Sequence, residues 1–146
     1  MDETLLAKAI LSGPDAIISA DWDGVITFWN AGAERIFGFT EANAMGQSLD
    51  LIIPERLRAR HWAGWQHVMA GGQSRYSAGD LLAVPAVRQD GSTISVEFTI
   101  HPVLDVGGEL VGIAATLRDV TARFQEKREL LQRIRELREQ TSAPTS

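Results

Sequence analysis

Between residues 92 and 102 the chain alternates without interruption: Ile94, Val96, Phe98 and Ile100 are apolar, while Ser95, Glu97, Thr99 and His101 between them are polar. Successive side chains of a strand point to opposite faces, so this run is a strand with one face in a core and the other carrying Glu97 and His101 outward as surface polar groups. A helix has no use for a period of two. Asp90-Gly91 immediately before it supplies the backbone positions of a tight hairpin, making residues 81–88 its antiparallel neighbour. Gly107-Gly108 turns the chain again into a small-residue strand over 110–117. Near the start, apolar residues 16–20 and 25–29 flank Asp21-Trp22-Asp23-Gly24, a second Asp-Gly hairpin. The pattern predicts five antiparallel strands.

Helical pieces separate the two hairpin groups. Asn30 is placed to cap a short helix in which Ala33, Ile36 and Phe37 share a face and which Gly38 ends. Thr40 caps another, ended by Gly46, and Pro54 sits in the first turn of a longer helix running through Met69 to Gly71-Gly72. At the N-terminus a short helix with apolar Leu5, Leu6, Ala9 and Ile10 stops at Gly13-Pro14 and is expected to pack as a lid.

The longer helix holds the candidate site. Side chains three and four apart share a helix face, which puts Leu57, His61, Gly64, Trp65 and Val68 on one stripe. Gly64 lies one turn beyond His61, where an absent side chain costs the helix roughly 1 kcal/mol but lets a flat or bulky body approach. Two readings stand side by side: His61 as a ligand beside a vacancy, or as a buried histidine hydrogen-bonded to a neighbour with Trp65 filling the space. His67 points away from this face.

The 146 residues, 45% of them apolar, suffice for one core with a short appendage. With no cysteine, disulfides, thiolate metal sites and cysteinyl adducts are excluded. No apolar run is long enough to span a membrane, and an acidic N-terminus is unlike a signal peptide, so this reading places the chain in the cytoplasm. Residues 121–140 carry six basic and four acidic side chains, leaving the rest with eight against fifteen. An acidic body argues against a nucleic-acid face. No Ser/His/Asp constellation or phosphate-binding glycine loop is apparent, so the chain reads as no enzyme.

After Asp119 a charged helix begins in which Phe124, Leu131 and Ile134 fall near coiled-coil spacing, with Leu130 and Leu137 alongside. A thin apolar stripe of this kind calls for a partner helix, and these five residues are the expected homodimer interface. The alternative is a helix folded back on its own sheet. The resulting division is a cap helix at 1–13, a core at 14–120, a signalling helix at 121–140 and a disordered tail at 141–146.

The order of elements, together with DAIISADWDGVITFWNAGAERIFGF and RQDGSTISVEFTI, resembles the PAS domain family, over roughly residues 5–121. The resemblance implies an α+β fold, a five-stranded antiparallel sheet with helices over one face. Asp119-Val120-Thr121 looks like the junction through which these domains hand signals to a C-terminal helix, on to a partner such as a histidine kinase or regulator. LIIPERLRARHWAGWQHVMAGG is similar to the helix of haem-binding oxygen-sensor PAS domains of nitrogen-fixation sensor histidine kinases, whose proximal iron ligand corresponds to His61. On that likeness haem b would lie against His61, Gly64, Trp65, Val68, Leu82 and Ile113. The likeness is incomplete: the family has an acidic residue after the histidine and an aromatic at the third place beyond, where this chain has Trp62 and Gly64, with the aromatic at Trp65. The distal arginine of those sensors falls near Leu82, which has no hydrogen bond to donate. A noncovalent flavin, a small metabolite, or a cofactor-free dimerisation adaptor are the other readings.

Overall fold

The computed structural model describes residues 1–71 and 84–142. The elements follow as α1 (Glu3–Leu11), β1 (Ala16–Asp21), β2 (Ile26–Trp29), α2 (Ala31–Phe37), α3 (Glu41–Ala44), α4 (Arg58–Met69), β3 (Val84–Val87), β4 (Thr93–Leu104), β5 (Leu110–Asp119) and α5 (Thr121–Ser142). The strands form one antiparallel sheet in the order β2-β1-β5-β4-β3. These are the five antiparallel strands expected from the hairpin signals, in the α+β arrangement that the family resemblance implied.

Register explains the core. Leu117 of β5 lies between Ala16 of β1 and Phe98 of β4, and Ala115 lies between Ile18 and Ile100, so these side chains share one face. Trp29, Phe37, Ala33 and Ile52 close over that face. The Trp29 ring meets Phe37 at 5.7 Å between centroids, and its Nε1 donates to the Phe39 carbonyl at 2.9 Å. An apolar body with one polar tip is thereby buried without an orphaned donor. Along β4 the expected buried face is fully buried at Ile94 and Val96 and only partly so at Phe98 and Ile100.

Several boundaries differ from the sequence reading. The strand expected to end at residue 117 pairs through Asp119, opposite Val96, and β4 runs on to Leu104. The helix expected from Pro54 begins instead as a 3-10 turn, Glu55–Leu57, because Pro54 itself is extended at ψ 137°. Just before it, the carbonyls of Asp50 and Ile53 accept from the Arg58 guanidinium at 3.3 and 3.2 Å. Helix α1 covers no core: none of its residues is buried, and Leu5, Leu6 and Ile10 face outward. Helix α5 does not fold back either, every described side chain from 122 to 141 being exposed, and it continues two residues past Gln140. Residues 81–83 of the strand expected before Asp90 lie outside the described residues.

Candidate functional site

His61 lies in the first half of α4, its imidazole half-buried between two indoles. The Trp62 ring stands edge-on at 4.6 Å between centroids and 78°, and Trp65 lies tilted at 6.1 Å. The Nδ1 atom of His61 is buried and has no hydrogen-bond partner among the described residues. Burial lowers the pKa of this imidazole from the usual histidine value, and the Asp50 carboxylate opposes that shift. The ring is therefore held towards its neutral form, the form that offers a lone pair to a metal.

The remaining residues of the expected stripe are distributed unevenly. Trp65 is half-buried and donates from Nε1 to the Trp22 carbonyl at 3.1 Å, tying α4 to the β1–β2 turn. Val68 is half-buried, and the next residue, Met69, is the one fully buried side chain of the helix. Gly64 is exposed, with nothing within 4 Å of a Cβ built on it. Ile113 is buried on the core face of β5, paired with Ala20 and Pro102. Leu82 lies outside the described residues.

Sequence periodicity passed over Trp62, which packs on His61, and its partners Asp50 and Gly24. Trp62 donates from Nε1 to Asp50 Oδ1 at 2.8 Å, and its ring occupies the space above Gly24, where a Cβ would lie 2.1 Å from Cη2. The available signal was chemical: an indole N–H inside a fold needs an acceptor, and a glycine at the tip of a hairpin admits a ring.

At the far end of the sheet the chain leaves through a compact set of hydrogen bonds. Asp119 Oδ1 accepts the backbone N–H of Thr121 at 2.9 Å, Thr121 Oγ1 accepts the N–H of Ser95 at 2.9 Å, and Val120 N donates to the Ser95 carbonyl at 2.8 Å. Val120 is buried, and Arg123 reaches Glu97 at 3.1 Å, so the first turn of α5 is seated on β4. Phe124, Leu130, Leu131, Ile134 and Leu137 are all exposed on the projecting helix. His101 is exposed on the outer face of the sheet, with Nε2 3.4 Å from Thr99 and Thr116.

No group of three His, Asp or Glu side chains suited to a bare metal ion occurs among the described residues. A prosthetic group whose own ring supplies most of the donors needs only one imidazole, and the unpaired nitrogen of His61 fits that requirement.

A five-stranded antiparallel sheet of this order, with short helices on its inner face and a helix leaving its last strand, defines a sensory-domain architecture. The chain belongs to the PAS family: the family model described as the PAS fold matches residues 12–125. It is 30% identical over 128 residues to the sensor protein FixL of Bradyrhizobium diazoefficiens, covering 88% of this chain and 25% of that protein. It is 28% identical over 109 residues to the oxygen sensor protein DosP of Escherichia coli, covering 75% and 13%. The chain thus spans a quarter or less of the curated relatives it matches. Among solved structures, a PAS domain from Colwellia psychrerythraea superposes with a TM-score of 0.70 at 23% identity, covering 82% of this chain and 98% of that one. An RNA-binding light-oxygen-voltage receptor gives the same score at 24% identity, covering 89% and 36%. These two likenesses carry the fold alone. No helix among the described residues is long and apolar enough to cross a membrane.

Proposed function

We propose that this PAS sensory domain is a non-catalytic input and dimerisation module that holds haem b through His61 and passes the state of its core to α5. The observation that carries the reading is the buried Nδ1 of His61, which has no hydrogen-bond partner among the described residues. A purely structural histidine of that burial would spend its nitrogens on hydrogen bonds, since an unpaired buried polar atom costs about 1 to 3 kcal/mol. The lowered pKa keeps the imidazole neutral and able to ligate. Haem, when bound, supplies an iron that takes a diatomic gas. Val68 and Ile113 offer apolar surface, and the open space at Gly64 leaves room beside α4. Leu82, at the place of the family's distal arginine, has no hydrogen to donate, which favours carbon monoxide or nitric oxide over a stable oxygen complex.

The reading agrees with the similarity to a protein named as an oxygen sensor. In it, Asp119, Val120 and Thr121 form the coupling point, α5 pairs with its copy in a homodimer, and the downstream partner is a histidine kinase or a regulator in the cytoplasm. Titration with hemin tests the assignment. A Soret band and one-to-one uptake should vanish in His61→Ala and survive in His67→Ala and His101→Ala. If the wild-type protein takes up no more haem than His61→Ala, His61 is a core histidine, and the domain reads another ligand or serves as a cofactor-free adaptor.

A further inference from the structure

Adjacent residues on a helix project about 100° apart and do not ordinarily face each other. His61 and Trp62 nevertheless hold their rings 4.6 Å apart in an edge-to-face contact. The indole is fixed at three points outside α4's own backbone. Its Nε1 donates to Asp50 Oδ1 at 2.8 Å, its far edge rests on Gly24 where no side chain intervenes, and Trp65 meets it edge-on at 5.7 Å. Asp50 is itself held from the α4 side, its carbonyl accepting from Arg58 and its carboxylate lying 4.0 Å from the same guanidinium. Trp65, the aromatic at the helically spaced position, is instead engaged with the Trp22 carbonyl and lies farther from the imidazole.

We infer that Trp62, anchored by Asp50 and Gly24, is the positioning residue that holds the His61 ring in a single orientation, a deepening of the site assignment above that rests on His61 being a ligand. The Nδ1 side of the imidazole has no hydrogen-bond partner among the described residues, so on that side packed neighbours restrict its rotamer. In metal sites an orienting hydrogen bond usually does this, and here a ring wall replaces it. Trp62 acts through His61 and touches no reacting atom.

The test has one arm that needs no haem. Side-chain χ1 couplings of His61, measured by NMR on the full chain, should show one rotamer in the wild type and in Trp65→Phe. They should show averaging in Trp62→Leu, in Trp62→Phe, which keeps a ring but cannot donate to Asp50, and in Asp50→Ala, which removes no ring, and recovery in Asp50→Asn, whose amide oxygen still accepts from the indole. Thermal melts identify any variant that does not fold, in which case Asp50→Ala and Trp62→Phe decide. In the second arm, transfer of haem to excess apomyoglobin should be about tenfold faster from Trp62→Leu and Asp50→Ala, the lower end of what loss of an orienting neighbour does to a metal site. A single His61 rotamer in both Trp62→Leu and Asp50→Ala overturns the positioning role, whatever the haem arm shows. If the wild type takes up no haem while the rotamer results come out as expected, the haem assignment falls and the positioning role stands.

Discussion

The side-chain oxygen of Asn30 receives the backbone N–H of Ile17 at 2.8 Å, joining the N-terminus of α2 to the start of β1. The same oxygen accepts from Ala33 at 2.9 Å, and Nδ2 donates to the carbonyls of Leu11 and Asp15, each at 3.0 Å. One buried amide thus caps a helix, pins a strand and ties down the exit of α1. Asn30→Ala should cost about 3 kcal/mol, combining a lost cap with backbone groups left unpaired in the interior. Urea unfolding of wild type and variant measures it, and a loss below about 1 kcal/mol, the scale of a cap alone, would remove Asn30 from this role.

Two glycines on helices should respond to alanine in opposite directions. At Gly32 a Cβ would fall 2.1 Å from the Asp15 carbonyl oxygen, a rigid neighbour that Asn30 also holds. Gly32→Ala should therefore destabilise by about 2 kcal/mol or more, as overpacking does. At Gly64 a Cβ meets nothing within 4 Å, so Gly64→Ala should gain about 0.5 to 1 kcal/mol from helix propensity. Parallel thermal melts of the two variants read both signs at once.

The contrast between these glycines also shows what the sequence makes legible. The hairpins followed from local signals: the alternation about Val96 and Phe98, and Asp-Gly at two turns, announce them whatever the rest of the chain does, whereas the pairing of β1 with β5 has no local signal. His61 was likewise visible, because helical spacing places it among Leu57, Trp65 and Val68. What covers a face is not local. The apolar stripe of α1 suggested a lid, yet Leu5 and Ile10 are exposed and the core is filled by residues of the sheet and the other helices. Trp62 was passed over for the same reason, since its partners Gly24 and Asp50 are 38 and 12 positions away. Only the chemistry of an indole donor pointed to them.

His61 gives stability a pH dependence of known sign. Burial lowers its folded pKa, with Asp50 opposing, so between the folded value and the unfolded value near 6.5 the unfolded chain binds a proton that the native chain does not. The contribution is complete above the unfolded value and is lost as pH falls through the folded one. Urea midpoints should decline from pH 8 to pH 5 by more in the wild type than in His61→Gln, which cannot titrate. Equal declines in the two proteins would mean that the imidazole ionises as freely folded as unfolded.

The last expectation concerns α5. Its first turn is seated on β4 through Val120 and Thr121, after which Phe124, Leu131 and Ile134 form a stripe that touches nothing in the chain's own core. Such a stripe on an otherwise charged helix is unfavourable in water and favourable against a copy of itself, which predicts a parallel dimer joined over residues 120–138. Light scattering should give a dimer for the full chain and a monomer for a chain ending at Thr121, at roughly tens of micromolar, where micromolar affinities fill the complex. Ile134→Glu should weaken association more than Gln132→Glu, because residue 132 lies off the stripe while both variants add the same charge. A full-length monomer at those concentrations, or equal losses from the two substitutions, would mean that α5 is not the dimer element.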